Sequence, residues 1–137
     1  MLKSSETLSK TPNYCNMEKH RAIQIDATNR LIKEVEIGDG LQDLYSNIDC
    51  DLFAVAGNFN EDIENNLMDS LLVDDEGLLT PGKPLFMFNP PGWIMQTEFA
   101  GNGLITGVDF NTGETISCRI PLYDLATYVE WTDKVTC

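Results

Sequence analysis

Hydrophobic and polar residues in the first part of the chain follow a strand pattern and then a helix pattern. Residues 22–26 predict a short strand, and the alternation from 32 to 37 predicts a second strand, so the two form a hairpin with one solvent-facing side. Within residues 41–48 the apolar side chains recur every three or four positions, which predicts a short amphipathic helix capped by Asp39.

The middle of the chain combines apolar runs with acidic turns. Residues 51–56 and 67–73 are apolar runs that predict two strands. The polar stretch 58–66 between them is typical of a loop or a weak helix. Residues 74–77 predict a turn in which Gly77 is free to adopt a positive φ, and residues 78–79 resume an extended course.

The later part of the chain is punctuated by proline and glycine. Residues 85–88 predict a buried strand, and 89–92, with two prolines and a glycine, predict a rigid turn. Residues 93–99 are compatible with a further strand. The run 104–110 predicts a strand whose internal glycine indicates close approach of another backbone segment.

A hairpin turn and a helix are predicted near the C-terminus. Asn111-Thr112-Gly113-Glu114 predicts a bulged hairpin turn that joins the preceding strand to a strand over 115–120. Apolar spacing over residues 123–131 predicts a terminal helix.

These elements predict an α+β fold. We expect an antiparallel sheet of several short strands, with the early helix and the C-terminal helix packed on one face. Residues 1–20, rich in Ser, Thr, Lys and Asn, predict a flexible tail. Residues 21–133 then form a single domain, and 134–137 form a short C-terminal tail.

Charge is the outstanding property of the sequence. The 137 residues carry a formal net charge of −13. Fourteen acids and two bases lie between Asp26 and Glu76, which gives this stretch a net charge of −12. Electrostatics therefore repels the protein from nucleic acid and anionic membranes, and attracts a basic protein surface, including one that normally binds nucleic acid.

The predicted partner-binding residues follow from this charge and from one aromatic side chain. Trp93 is added because a tryptophan in a loop is a good interface anchor. The acidic candidates are Asp43, Asp49, Asp51, Glu61, Asp62, Glu64, Asp69, Asp74, Asp75 and Glu76.

No catalytic or metal-binding pattern emerges from the sequence. The chain has one histidine, His20, which we expect to be exposed at the edge of the tail and away from a nucleophile. The four cysteines match no zinc-ligand spacing. Residues 58–62 place oxygen ligands at alternate positions, but the following residues depart from a calcium-binding EF-hand loop. We therefore expect a non-enzymatic protein with no cofactor and no metal.

The location that the sequence predicts is the cytoplasm, or the host-cell cytoplasm if the protein is viral. The N-terminal residues lack the apolar run of a signal peptide, and no segment is apolar for long enough to span a membrane. Reduced thiols are expected in that compartment.

Four segments carry a family resemblance: 41–44, 72–78, 101–107 and 122–131. Their order resembles a small domain of unknown function that is common in phage and plasmid sequences, and the resemblance covers residues 22–132. Residues 79–84 depart from it, because the family has an L-P-x-N-R-A-L segment there. The resemblance implies an origin in viral or mobile DNA and supplies no activity.

Four functions remain open from sequence. The first is an acidic module that inhibits a host or defence protein by presenting a carboxylate-rich, nucleic-acid-mimicking face. The second is a small-ligand sponge that stacks a nucleotide on Trp93 and neighbouring phenylalanines. The third is an enzyme of an unrecognised type, and the fourth is an accessory subunit of a larger complex.

Overall fold

The computed structural model describes residues 19–38, 40–94 and 97–137. The predicted tail therefore falls mainly outside the described residues, as does the predicted cap Asp39. The predicted tail includes His20 as an exposed residue, and this is wrong: His20 is 8% exposed and begins the first strand.

Within the described residues the chain forms nine strands, two α-helices and one 3-10 helix. The strands are β1 (His20–Asp26), β2 (Leu31–Ile37), β3 (Phe53–Asp62), β4 (Leu67–Asp74), β5 (Pro84–Phe88), β6 (Thr97–Ala100), β7 (Gly103–Asp109), β8 (Glu114–Ile116) and β9 (Val129–Val135). The helices are α1 (Leu41–Ile48), α2 (Leu122–Ala126) and the 3-10 helix Gly77–Leu79. None of these helices is long and apolar enough to cross a membrane.

The strands form two antiparallel sheets. The large sheet has the order β2-β1-β7-β4-β3, and β8 pairs with the C-terminal end of β7. The small sheet has the order β6-β5-β9. Strand β3 is thus an edge of the large sheet, and the β3–β4 hairpin forms one side of the molecule.

Alternation of side chains along the large sheet produces three layers. On β4, Leu71 and Val73 belong to one apolar cluster with Phe86 and Phe88 of the small sheet, while Leu72 belongs to a second cluster. Helix α1 packs into the second cluster. The α+β class is confirmed.

The prediction that both helices share one face is wrong. Leu125 of α2 is fully buried in the cluster between the two sheets. Leu44 and Ile48 of α1 lie on the opposite face of the large sheet, against Leu72 and Leu104. The two helices therefore lie on opposite sides of the large sheet, because their apolar residues join different clusters.

Two middle segments differ from their predictions. Residues 58–62 continue β3 instead of forming a loop or helix, and Phe59 from this segment is 3% exposed. The chain accommodates their polar sequence through irregular register with β4, between Val55 and Gly57 and between Phe59 and Asp62. Leu78 and Leu79, expected to be extended, belong to the 3-10 helix.

The predicted C-terminal helix is present but shorter than the predicted span 123–131, whose last residues form a strand. Helix α2 ends at Ala126, and β9 pairs with β5, where Phe86 lies opposite Trp131. The predicted tail over 134–137 is also wrong. Its first two residues belong to β9, and buried Thr136 accepts a hydrogen bond from the Lys83 amide at 2.8 Å.

Candidate functional site

The structure divides most of the predicted acidic residues into two groups at opposite ends of β3 and β4. Phe53 pairs with Asp74 at one end of this hairpin, and Asp62 pairs with Leu67 at the other end. Strand β3 has ten residues, so its ends lie about 30 Å apart. One group contains Asp49, Asp51, Asp74, Asp75 and Glu76, and the other contains Glu61, Asp62 and Glu64.

The first group surrounds a cleft of about 370 Å³ between α1 and the end of β4. We call it the acidic cleft. Its main lining residues are Tyr45, Asp49, Asp51, Asp74, Glu76 and Lys83. The exposed side chain of Asp75 is in the same turn but does not line the cleft.

The end of α1 positions the first two carboxylates. Asp49 adopts a left-handed conformation with φ 60° and ψ 58°, and its N–H donates to the Tyr45 carbonyl at 2.8 Å. The Cys50 N–H donates to the same carbonyl at 3.2 Å. This reversal terminates the helix and leaves Asp49 and Asp51 exposed just before β3.

The turn after β4 positions the other two carboxylates. Asp74 Oδ1 accepts a hydrogen bond from the Glu76 N–H at 2.9 Å, which holds the tight turn into the 3-10 helix. The Asp75 N–H donates to the Leu52 carbonyl at 2.9 Å and fixes this turn against the start of β3. Glu76 is left exposed at the edge of the cleft.

The acidic cleft has an excess of negative charge. Lys83 is the one cation among the described residues that line it, and its Nζ lies 3.4 Å from Asp74 Oδ2. Four carboxylates and this ammonium give the lining a formal charge of −3. Among the residues that the structure describes, no ion pair engages Asp49, Asp51 or Glu76.

The cleft is also lined by a thiol, that of Cys50. Burial, with a smaller contribution from Asp74, raises the pKa of the Cys50 thiol, which therefore stays protonated and weakly nucleophilic at neutral pH. In residues 19–38, 40–94 and 97–137, no group of three or more His, Cys, Asp or Glu side chains could hold a metal ion. The carboxylates line the cleft without converging on one point.

The acidic cleft continues into a neighbouring depression. This depression has a volume of about 260 Å³ and shares Asp49, Thr80 and Lys83 with the cleft. It extends past Pro81 towards Asn102. The two depressions share lining residues and together form one longer groove.

A second cavity lies at the opposite end of β3 and contains Glu61 and Trp93. We call it the aromatic pocket; its volume is about 400 Å³, and its main lining residues are Phe59, Glu61, Pro91, Trp93 and Tyr128. Trp93 is not free on its loop. Its Nε1 donates to the Asn58 carbonyl at 2.9 Å, and its ring stacks so closely on Gly57 that a Cβ there would lie 2.4 Å from Cζ2.

Asp69 does not belong to any partner-facing surface. It is fully buried, and its carboxylate accepts hydrogen bonds from the Arg119 N–H at 3.0 Å, the Ile120 N–H at 3.0 Å and Asn60 Nδ2 at 2.8 Å. Its inclusion among the partner-binding residues is therefore corrected. Asp69 anchors the segment after β8 to β4.

Two further predicted acids have local structural roles. Asp43 lies on α1, and its Oδ2 accepts a hydrogen bond from the Gly38 N–H at 2.6 Å, so its carboxylate fixes the entry to the helix. Asp62 accepts a hydrogen bond from Asn65 Nδ2 at 2.8 Å, which is the main cause that lowers the pKa of Asp62. Glu64 is exposed in the same turn.

Several residues that line these cavities are missing from the sequence candidates, among them Lys83, Phe59 and Tyr128. Lys83 was not among the candidates, although it is the first base after a long stretch without one. Phe59 lies in the segment predicted as a loop or weak helix, and Tyr128 lies in the predicted terminal helix. The residues after Tyr128 show an alternation of β-branched and aromatic side chains with polar ones, which is typical of a strand. A comparison of the chain with protein-family models, curated proteins and solved structures finds no match.

Proposed function

We propose that this chain is a non-enzymatic protein-binding module whose acidic cleft receives a basic segment of a partner protein. The observation that carries the proposal is the cleft itself, in which Asp49, Asp51 and Glu76 are exposed and have no ion-pair partner among the described residues. The carboxylates stand on a helix end and a tight turn that are both held by backbone hydrogen bonds.

Electrostatics favours association with an extended cationic segment. The net charge of −13 steers a basic partner towards the protein, and the groove provides the site at which its cationic segment binds. Each exposed carboxylate contributes about 0.2–1 kcal/mol when it pairs with a lysine or arginine in water. Three such pairs together change the dissociation constant by about tenfold, and added salt weakens them.

A finer form of the proposal is that the module mimics nucleic acid. Its partner would then be a nucleic-acid-binding host or defence protein, and the chain would inhibit it as a product of viral or mobile DNA. The second acidic group supports this form, because it places further carboxylates at the other end of the same hairpin, as phosphates recur along a DNA strand.

Matched charge variants test the proposal. The cleft variant carries D49N, D51N and E76Q, and the control carries E36Q, E64Q and E114Q, all at exposed positions away from the cleft. Each triple substitution moves the formal net charge from −13 to −10. Binding of a fluorescein-labelled oligoarginine peptide is measured by anisotropy over a range of salt concentrations.

The cleft variant is expected to bind about tenfold more weakly than the unmodified chain. The control is expected to lose much less affinity, because it keeps the cleft and loses only long-range attraction. Equal losses in both variants would show that bulk charge, and not the cleft, binds the peptide. The nucleic-acid-mimic form predicts in addition that the chain displaces duplex DNA from its partner competitively.

A further inference from the structure

The aromatic pocket has the composition of a site for an organic cation. Three rings line it: Phe59, Trp93 and Tyr128. The Phe59 and Tyr128 rings lie almost perpendicular to each other, at 88°, with their centroids 6.5 Å apart. Phe88 packs edge-on against both Trp93 and Tyr128, at 82° and 79°, and so supports the two more exposed rings from behind.

The charge around this pocket is negative. Within the part of the chain that the structure describes, Glu61 is the one charged residue that lines it, and its side chain is exposed. The two other polar side chains of the lining, Asn58 and Asn60, are neutral. The nearby Arg119 does not line the pocket, and its guanidinium donates a hydrogen bond to the Asn60 carbonyl. Among the described lining residues, an incoming cation therefore meets aromatic side chains and one carboxylate.

The walls of the pocket are formed before any ligand arrives. The Trp93 indole N–H is bonded to the Asn58 carbonyl, and the ring lies against Gly57. Phe59 is 3% exposed and forms the base of the cavity. A ligand thus binds without the entropic cost of ordering these side chains.

We propose that the aromatic pocket binds the ε-ammonium of a lysine side chain, unmodified or N-methylated. The proposal rests on the proposed function, because the lysine belongs to the same kind of basic partner, but it concerns a separate surface. Aromatic faces attract cations through the ring quadrupole, and cages of this kind bind alkylated ammonium groups. The ε-ammonium of lysine is a compact charge on a flexible four-carbon stem, which suits a recessed cavity with one carboxylate at its edge.

The test uses three small ligands, two of which differ in charge but have the same shape. The probes are N-acetyl-lysine methylamide, its ε-trimethyl derivative, and the neutral analogue in which carbon replaces the ε-nitrogen of the trimethyl compound. Each is titrated into the isotope-labelled chain, and NMR follows the indole N–H signals of Trp93 and Trp131. A W131F variant assigns the two signals.

We expect saturable shifts of the Trp93 signal with both charged probes, larger for the trimethyl compound, and little shift with the neutral analogue. E61Q should weaken binding about fivefold, whereas E36Q, on the opposite edge strand of the large sheet, should leave it unchanged. Equal binding of the neutral analogue would overturn the inference, as would the absence of any Trp93 shift up to tens of millimolar probe.

The same titration separates this inference from the acidic cleft. The variant with D49N, D51N and E76Q keeps the aromatic pocket and should bind the lysine probes as the unmodified chain does. A failed oligoarginine test together with a Trp93 response would support the lysine site in the aromatic pocket and refute the proposed role of the acidic cleft. Oligoarginine binding at the cleft without a Trp93 response would refute only the inference about the aromatic pocket.

Discussion

Replacing Asp69 by asparagine tests whether this carboxylate stabilises the fold from the interior. Oδ2 accepts two hydrogen bonds, from Ile120 N–H and Asn60 Nδ2, and Oδ1 accepts one from Arg119 N–H. An asparagine retains one acceptor oxygen. Its best orientation keeps the two bonds at the Oδ2 position and turns its NH₂ group towards the Arg119 N–H, so that two donors face each other.

The expected cost of D69N follows from those contacts. A lost hydrogen bond to a charged acceptor and a buried N–H left unpaired together cost about 3 kcal/mol. In a domain of this size that corresponds to a fall in Tm of about 10 °C. Urea unfolding followed by circular dichroism measures the free energy, and differential scanning calorimetry measures the Tm.

The matched control is D75N, which removes the same charge from an exposed position. Its free energy of unfolding should change by no more than about 0.5 kcal/mol. If D69N and D75N lower the free energy of unfolding by the same small amount, the three hydrogen bonds of Asp69 do not stabilise the fold.

Two further substitutions test other parts of the structure. G57A should displace Trp93, shift tryptophan fluorescence to longer wavelength and cost about 1–3 kcal/mol of stability, whereas G40A, where a Cβ meets no atom within 4 Å, should leave the fluorescence unchanged. Burial raises the pKa of the Cys118 thiol from 9.0 to about 11, so its stabilising contribution is complete below pH 9 and is lost as the pH rises towards 11. Urea unfolding at a series of pH values should show that loss in the unmodified chain but not in C118A; equal slopes in both would contradict the argument.

Local patterns were sufficient where neighbouring residues determine the structure. Alternation predicted β2, and the Asn111–Glu114 sequence predicted the hairpin turn in which Gly113 has a φ of 77°. Helical spacing predicted α1, whose Leu44 and Ile48 are buried. Each of these signals lies within a few residues of the element that it predicts.

Tertiary contacts overrode local patterns elsewhere. The polar segment after Gly57 forms a strand because Phe59 enters the core and β4 supplies its hydrogen-bonding partner. The segment after Ala126 has helical spacing but pairs with β5, where Val129 and Trp131 find partners across the small sheet.

The candidate site was likewise predictable only where local sequence determines it. The sequence identified the acidic residues, but it did not indicate that Asp69 would be buried by donors from a segment distant in the chain. It also did not indicate that β3 would separate the acids into two groups. The aromatic pocket combines residues from β3, a proline-rich turn and the start of the last strand, which no single periodicity connects.

The central claim is that the acidic cleft, and not the overall charge, receives a basic segment. The most direct measurement is an NMR titration of the isotope-labelled chain with the oligoarginine peptide, in which the shift of every assigned backbone amide is followed. We predict that the largest shifts occur at Asp49, Asp51 and Glu76, and that they persist in the E36Q, E64Q and E114Q control. Shifts of equal size at all exposed acids, or a maximum at residues 61–64, would contradict this account.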